Sequence, residues 1–595
     1  MRVVSSARPK TSKDIRPNIF RRVWGEATAL LYHSRRTSWV DLVIVIALAG
    51  LLYGVLQLGH EWRGASRPAI AIDLSPWALP RYTFYSLSRG LLAYVLSLAF
   101  TLSYGYWAAK DRIAERVLVP LLDILQSIPV LGFMPGLILA LVALFPHSNI
   151  GLELAAVIMI FTGQAWNMTF SYYHSLRSVP DDMREVGSVY RFSWWQQLKW
   201  IELPYATIGL VWNSMLSMAG GWFFLMINEA FRLGDRDFRL PGIGSYMSVA
   251  VDQGRVDAML YAIGAMTLMI VAVDQVLWRP VVVWAQKFRV EEGGQQERLT
   301  SWFLAWLRRS RLLTVVRRLW RRVWAGLKRS RASLASATVD RRPVSRWTGW
   351  LGVTLLALLL VVLVLGAWNL AHLLRRVPAT EWGTLGGAAG LTLGRVLLAT
   401  ALGTLWALPA GLAIGLSPRL SRVLQPVVQV VASFPAPMLF PIVIAGLAVA
   451  GVSLGWGSIV LMLLGTQWYI LFNVIAGAMA IPADLREASR SYRLSRWQRF
   501  VALYLPGVFP YLVTGWVTAA GGAWNASIVA EFVTFKGQTL QAQGLGAQIS
   551  AAAAAADFPK LAASILVMSA IVVLFNRTVW RRFYQLAERR FSLNK

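Results

Sequence analysis

The chain has no cysteine, which excludes disulfides and thiolate metal sites. Its five histidines, His33, His60, His147, His174 and His372, are scattered, and none pairs at i, i+4 as a zinc-binding helix requires. No GxxxxGK[ST] stretch occurs, so the chain has no P-loop of its own. Charge is scarce: 15% of the 595 residues are charged and 56% are hydrophobic. A soluble chain of this length would form several domains with far more charge. Acids are scarcer still, with 29 Asp and Glu against 59 Lys and Arg, a net charge of +30. In a soluble domain that excess would suggest nucleic acid. In a membrane protein its first explanation is the bias of basic loops toward the cytoplasm, and no nucleic-acid partner is expected.

The chain is rich in long apolar runs. Residues 39–58, 91–109, 258–278 and 350–368 are each long enough to cross the roughly 30 Å hydrocarbon core of a bilayer. Strands of a membrane barrel would be about ten residues long with alternating polarity, and these runs are neither. A long basic segment precedes the first run, so no cleavable signal peptide is expected. The fold class expected is an all-α polytopic membrane protein.

Two stretches resemble each other, EVGSVYRFSWWQQLKWIELP (185–204) and EASRSYRLSRWQRFVALYLP (487–506), at an offset of 487 − 185 = 302. The offset also matches Pro180 with Pro482, Gly163 with Gly465, Trp222 with Trp524, Glu229 with Glu531, and Gly242 and Gly244 with Gly544 and Gly546. Upstream it becomes 306, matching Arg89 with Arg395, Gly105 with Gly411 and Pro129 with Pro435. One register over most of both halves indicates an internal duplication. Six spans are expected in each half, near 39–58, 84–108, 118–145, 152–175, 205–231 and 258–281, then near 349–368, 388–412, 422–450, 456–478, 507–532 and 559–578. An even number per half makes the duplication parallel. The expected division is a basic segment 1–38, a first repeat 39–285, a basic linker 286–348, a second repeat 349–585 and a tail 586–595. The linker stretch 299–330 interleaves Trp302, Trp306, Trp320 and Trp324 with arginines. It reads as an amphipathic helix on the anionic leaflet, with docking to a partner as the alternative. The basic segments all fall on one side, which places both hairpins, the linker and both termini in the cytoplasm.

Each hairpin starts at a proline, Pro180 or Pro482, with acids in the first turns. Ser193-x-x-Gln196 and Ser495-x-x-Gln498 read as capping boxes that open a second short helix, which Pro204 and Pro506 end. A basic, Trp-bearing loop lying on headgroups is the bland alternative, but acids at Glu185 and Glu487 suit a protein partner better.

A Glu, fifteen residues and I/L-x-L-P, set between spans four and five, resemble the EAA loop of ABC importer permeases. The resemblance implies that Glu185, Val186 and Gly187, and Glu487, Ala488 and Ser489, stand at the EAA triplet, with Leu203-Pro204 and Leu505-Pro506 closing the motif. It implies a coupling helix that docks on a separate ATPase subunit. The family's usual glycine is Arg191 in one copy and Arg493 in the other, which puts the usual turn geometry in question. Stretches 392–415, 521–532 and 540–549 look like the nitrate/sulfonate/taurine-type anion permeases. The resemblance covers about 39–285 and 349–585. It implies a fused permease in the bacterial inner membrane, served by two ATPase copies and a periplasmic or lipid-anchored binding protein. The chain itself would be no enzyme and would hold no cofactor, ATP and magnesium being bound by the partners. A secondary transporter of two six-span halves is the alternative, but Asp123 and Asp274 have no acidic counterparts at Gln429 and Asn576.

Within the spans, Arg89 and Glu229, and Arg395 and Glu531, are expected to pair, because charges in a membrane are costly. The pairs are either purely structural or an outer gate. Gly220-Gly221 and Gly521-Gly522 in span five either pack helices closely or line a path. Pro129, Pro135, Pro435 and Pro441 are expected to interrupt span three.

Overall fold

The computed structural model describes residues 39–64, 70–233, 236–288, 300–310, 314, 317, 346–535 and 538–591. The basic segment 1–38, most of the linker with Trp320 and Trp324, and residues 592–595 lie outside the described residues. The chain divides into two compact units: 1–57 with 294–353, and 58–293 with 354–595.

In the first unit, the start of helix α1 (Trp39–Arg63) meets the linker. Trp39 and Trp306 lie 6.0 Å apart at their ring centres, and Ser310 Oγ donates to the buried Asp41 carboxylate at 2.6 Å. The single linker helix expected over 299–330 needs correction. Ser301 caps helix α12 (Trp302–Arg308), and the chain leaves the helix at Arg309 and Ser310.

The second unit contains both repeats. In the first, α2 (Leu79–Lys110), α3 (Arg112–Ser127), α4 (Val130–Leu144), α5 (Ile150–Arg177), α6 (Asp181–Val189), α7 (Trp194–Gln197) and α8 (Leu203–Asn228) lead to a β1–β2 hairpin (Ala230–Leu233, Arg236–Arg239). Helices α9 (Ile243–Asp252), α10 (Val256–Val273) and α11 (Arg279–Ala285) complete it. After α13 (Arg346–Leu374), the second repeat follows the same order. Its members are α14 (Ala379–Leu416), α15 (Pro418–Ser433), α16 (Phe440–Val449), α17 (Leu454–Ala480), α18 (Ala483–Ser491), α19 (Arg496–Arg499) and α20 (Leu505–Ala530). Strands β3 (Phe532–Phe535) and β4 (Gln538–Gln541) and helices α21 (Leu545–Ala554), α22 (Phe558–Phe575) and α23 (Arg581–Arg590) close it. The two antiparallel hairpins were not expected from the sequence.

Among the described residues, ten helices are long and apolar enough to cross a membrane, so the chain is a polytopic membrane protein. Span three is not one helix in either half, because α3–α4 and α15–α16 are each bent by more than 40°. Residues before proline avoid the helical region, and Ile128-Pro129 and Phe434-Pro435 stand at the breaks. The bent pairs nevertheless cross. Helices α2 and α5 run parallel, since Ser97 meets Gln164, Thr101 meets Thr169 and Gly105 lies against Tyr172. Gly403, Trp406 and Gly411 meet Leu463, Gln467 and Val474 in the same rising order, so α14 and α17 are parallel too. A chain joining the end of one helix to the start of a parallel neighbour must return through the same thickness. Segments 111–149 and 417–453 are therefore full, broken crossings, and with α1 and α13 the described residues hold six crossings in each half.

Close approach fixes this packing. A Cβ on Gly105 would fall 2.9 Å from Tyr172, and one on Gly411 2.7 Å from Val474. Small residues at such points let helices pack without a hydrophobic drive between them. The halves also touch. Asn525 Oδ1 accepts the Val130 N–H at 2.8 Å, satisfying a donor freed by the break in span three.

Candidate functional site

The two hairpins occupy one end of the unit. Helix α6 closes on Tyr190, then Arg191 takes φ 51°, the left-handed region. Arg191 N–H donates to Ser188 O at 3.0 Å and Phe192 N–H to Gly187 O at 2.8 Å. This pair of bonds is a Schellman motif, whose left-handed position normally holds glycine. The second hairpin repeats it, with Arg493 at φ 51°, bonded to Arg490 O at 2.9 Å, and Leu494 bonded to Ser489 O at 3.2 Å. The arginines thus keep the turn that their identity had put in question, and both are exposed.

The capping boxes form as the spacing requires. Ser193 Oγ accepts from Gln196 N–H while Gln196 Oε1 accepts from Ser193 N–H at 2.8 Å, and Ser495 and Gln498 do the same. One expectation is corrected here: Pro204 and Pro506 do not end the second arm. Residues Leu198–Glu202 and Phe500–Tyr504 form π turns that run straight into α8 and α20. Proline removes one N–H and crowds the carbonyl four residues back. The wider turn lets Leu203 N–H reach Leu198 O instead, and Leu505 N–H reach Phe500 O. The second arm is therefore an extension of span five, and the hairpin is rigidly attached to it.

Gly187 and Ser489 are buried where the first arm meets the second. A Cβ on Gly187 would sit 3.1 Å from Ile201, so the third triplet position must be small. Glu185, Val186, Glu487 and Ala488 are exposed beside Tyr190, Trp194, Trp195, Tyr492 and Trp497, each more than half exposed. Leu203, Pro204, Leu505 and Pro506 are half-buried at the roots. The first hairpin is also tied to span two. Lys110 pairs with the buried Glu202, and Tyr106 meets Trp194 edge-on at 5.8 Å. The second half has Leu416 and Tyr504 at the positions of Lys110 and Glu202, and no charge pair.

The opposite end holds buried charge. Arg89 and Glu229 are fully buried and pair at 2.7 Å. Glu229 also accepts from Ser86 Oγ at 2.6 Å and from Gly244 N–H at 2.7 Å, at the start of α9. A Cβ on Gly242 or Gly544 would overlap the carboxylate of Glu229 or Glu531, which explains the repeated G-x-G spacing. The cluster includes a member that sequence reasoning missed. Glu153, fully buried in α5, grips Arg89 through Nε and Nη2, each at 2.6 Å. In the second half, Arg395 pairs with Glu531 at 2.7 Å, and Thr392 stands in for Ser86. Gly455 replaces Glu153, so Arg395 Nε donates to a backbone oxygen at 3.0 Å. Only the two repeats laid over each other could have revealed that substitution.

The span-five glycines have different surroundings. A Cβ on Gly221 would collide with Gln164, so this glycine packs. Gly220 and Gly522 look toward Tyr469, and Gly521 meets open space. Between the halves, Met215, Met218, Asp274, Gln429 and Ser433 line a small cavity of about 20 Å³. Residues Gly451–Gly455, GVSLG, have the lettering of a hydrolase nucleophile elbow. They join two helices and no strand leads into the serine, so the strand-to-helix elbow is not formed.

Among the described residues, no group of three or more His, Asp or Glu is arranged to hold a metal. The model for the family described as binding-protein-dependent transport system inner membrane component matches twice, over residues 102–277 and 400–593. Arg89 and Arg395 lie outside the matched stretches. The nitrate import permease protein of Synechocystis sp. is 32% identical over 123 residues, which is 21% of this chain and 43% of the relative. The taurine transport system permease protein of Escherichia coli is 27% identical over 198 residues, 33% of this chain and 67% of the relative. The bicarbonate transport system permease protein of Synechocystis sp. is 29% identical over 143 residues, 24% of this chain and 49% of the relative. The chain spans about half the length of most of the curated relatives it matches.

Proposed function

Because the chain belongs to the family of binding-protein-dependent transport system inner membrane components, we propose that it is the fused permease of an ABC importer for a small anion. Its two six-span halves enclose the path. ATP and magnesium are held by two separate ATPase subunits, one on each hairpin. A periplasmic or lipid-anchored binding protein delivers the solute to the opposite end. The hairpins, linker and termini face the cytoplasm of a bacterial cell. The anion class comes from relatives named for nitrate, taurine and bicarbonate.

The observation that supports this reading most is the attachment of each hairpin. The exposed acids sit on a first arm whose Gly187 and Ser489 are buried against the second, and that second arm, bearing the exposed Trp194, Trp195 and Trp497, is helically continuous with span five. A push on Glu185 or Glu487 is carried along α8 or α20 toward Glu229 or Glu531, the residues that close those helices. The ion pairs with Arg89 and Arg395 are then the outer gate, and Gly521 faces the path. A secondary transporter is not favoured, since it leaves the duplicated hairpin without a role.

Co-purification is the direct test. The tagged chain is expected to bring down an ABC ATPase, and Glu185→Ala with Glu487→Ala to abolish both that capture and solute uptake. Uptake that survives the double substitution would sink the reading.

A further inference from the structure

We infer that the second half carries an oxyanion-binding subsite beside Arg395, at the place that Glu153 fills in the first half. The inference takes its anion class from the importer reading above, while its geometry comes from the comparison of the two halves.

In the first half every face of the guanidinium is used. Nε and Nη2 fork onto Glu153, and Nη1 holds Glu229 and Pro241 O. Two carboxylates around one buried guanidinium leave a charge of +1 − 2 = −1, sealed from solvent. This is the two-point geometry in which arginine recognises carboxylate-like anions.

In the second half the same residue is left incomplete. Arg395 uses Nη1 for Glu531 and Gln543 O, and Nε for Gly455 O. Its Nη2 has no hydrogen-bond partner among the described residues, and its side chain is 13% exposed against 0% for Arg89. Ser453 Oγ also has no hydrogen-bond partner among the described residues. Both atoms face one spot: a Cβ on Gly455 would lie 3.7 Å from Arg395 Nη2 and 3.7 Å from Ser453 Oγ. The pair of Arg395 with Glu531 sums to zero, one unit less negative than the first-half cluster.

An anion at Nη2 approaches Glu531, but that carboxylate is already held by Thr392 Oγ1 and by Gly546 and Ala547 N–H. The first half places two carboxylates on one arginine under the same constraint. The ligand is a singly charged oxyanion small enough to replace a carboxylate. A soluble anion and a lipid phosphate share that chemistry, and the reading commits to the soluble one.

The test is arginine modification by phenylglyoxal, read at Arg395 by peptide mass spectrometry, on the purified full chain in phosphatidylcholine nanodiscs. Nitrate is the probe and gluconate the control. A site with a dissociation constant of about 1 mM is roughly nine-tenths filled at about 10 mM, so nitrate is expected to slow labelling about tenfold. Gly455→Glu restores the first-half acid and is expected to leave labelling slow and indifferent to nitrate. Gly455→Ala meets only ordinary contacts and is expected to keep the protection. No nitrate protection in the wild-type chain overturns the inference. So does protection by phosphatidylglycerol alone, which would assign the site to lipid. Neither result bears on ATPase capture, so failure here is distinct from failure of the importer reading.

Discussion

At the scale of the residue, three side chains among the described residues stand where glycine is at home. Arg191, Arg493 and Ala556 have φ of 51°, 51° and 52°. The first-half counterpart of Ala556 is Gly254, at φ 65° in the same turn. A left-handed non-glycine residue costs roughly 1–2 kcal/mol, partly offset because glycine loses more entropy on folding. Ala556→Gly and Arg493→Gly are therefore each expected to stabilise the protein by up to about 1 kcal/mol, measured by thermal unfolding in detergent. We expect Arg493→Gly alone to weaken ATPase capture as well, because an exposed arginine held against its own strain in both halves points to an acidic contact on the partner. Unchanged capture would leave the arginine without that role. The identity of the residue was legible in the sequence, and its cost was not, since φ is not a property of the letter.

At the scale of the element, helices are bounded by local chemistry and placed by what they press against. Asp111 and Ser417 cap α3 and α15 with their own side chains. The pressing is done by Gly105 and Gly411, which bring span two against span four. Gly411→Val is expected to destabilise the chain by about 1–3 kcal/mol through overpacking against Val474. A thermal midpoint equal to wild type would show that α14 and α17 can separate freely. The break in span three was legible from Pro129 and Pro435, whereas Pro135 and Pro441, expected to interrupt it too, lie within α4 and α16. The continuity of the second hairpin arm with span five was not, because proline reads as a stop unless a π turn absorbs it.

At the scale of the whole molecule, the halves are alike in path and unlike in charge. Residues 181–202 hold four acids and three bases, whereas 483–504 hold two acids and five bases. The buried cluster opposite is likewise asymmetric, with Glu153 answered by Gly455. Docking through the basic hairpin is expected to be the more salt-sensitive. Raising the ionic strength from about 0.1 M to about 1 M shortens the screening length from about 10 Å to about 3 Å. ATPase capture by Glu185→Ala, which relies on the second hairpin, should then fall more steeply with salt than capture by Glu487→Ala. Equal salt profiles would mean that the charge difference plays no part in docking.

The sequence by itself determined the membrane class, the duplication, the capping boxes and the partners Arg89–Glu229 and Arg395–Glu531. Each follows from short-range spacing or from the high cost of charge in hydrocarbon, and neither needs coordinates. Tertiary structure alone decided that span three crosses despite its break, that the hairpin is rigidly joined to span five, and that Glu153 is a second carboxylate on Arg89. These depend on which helices run parallel and on which atoms from distant segments meet. A chain of letters leaves that open until packing brings residues 89, 153 and 229 to one point.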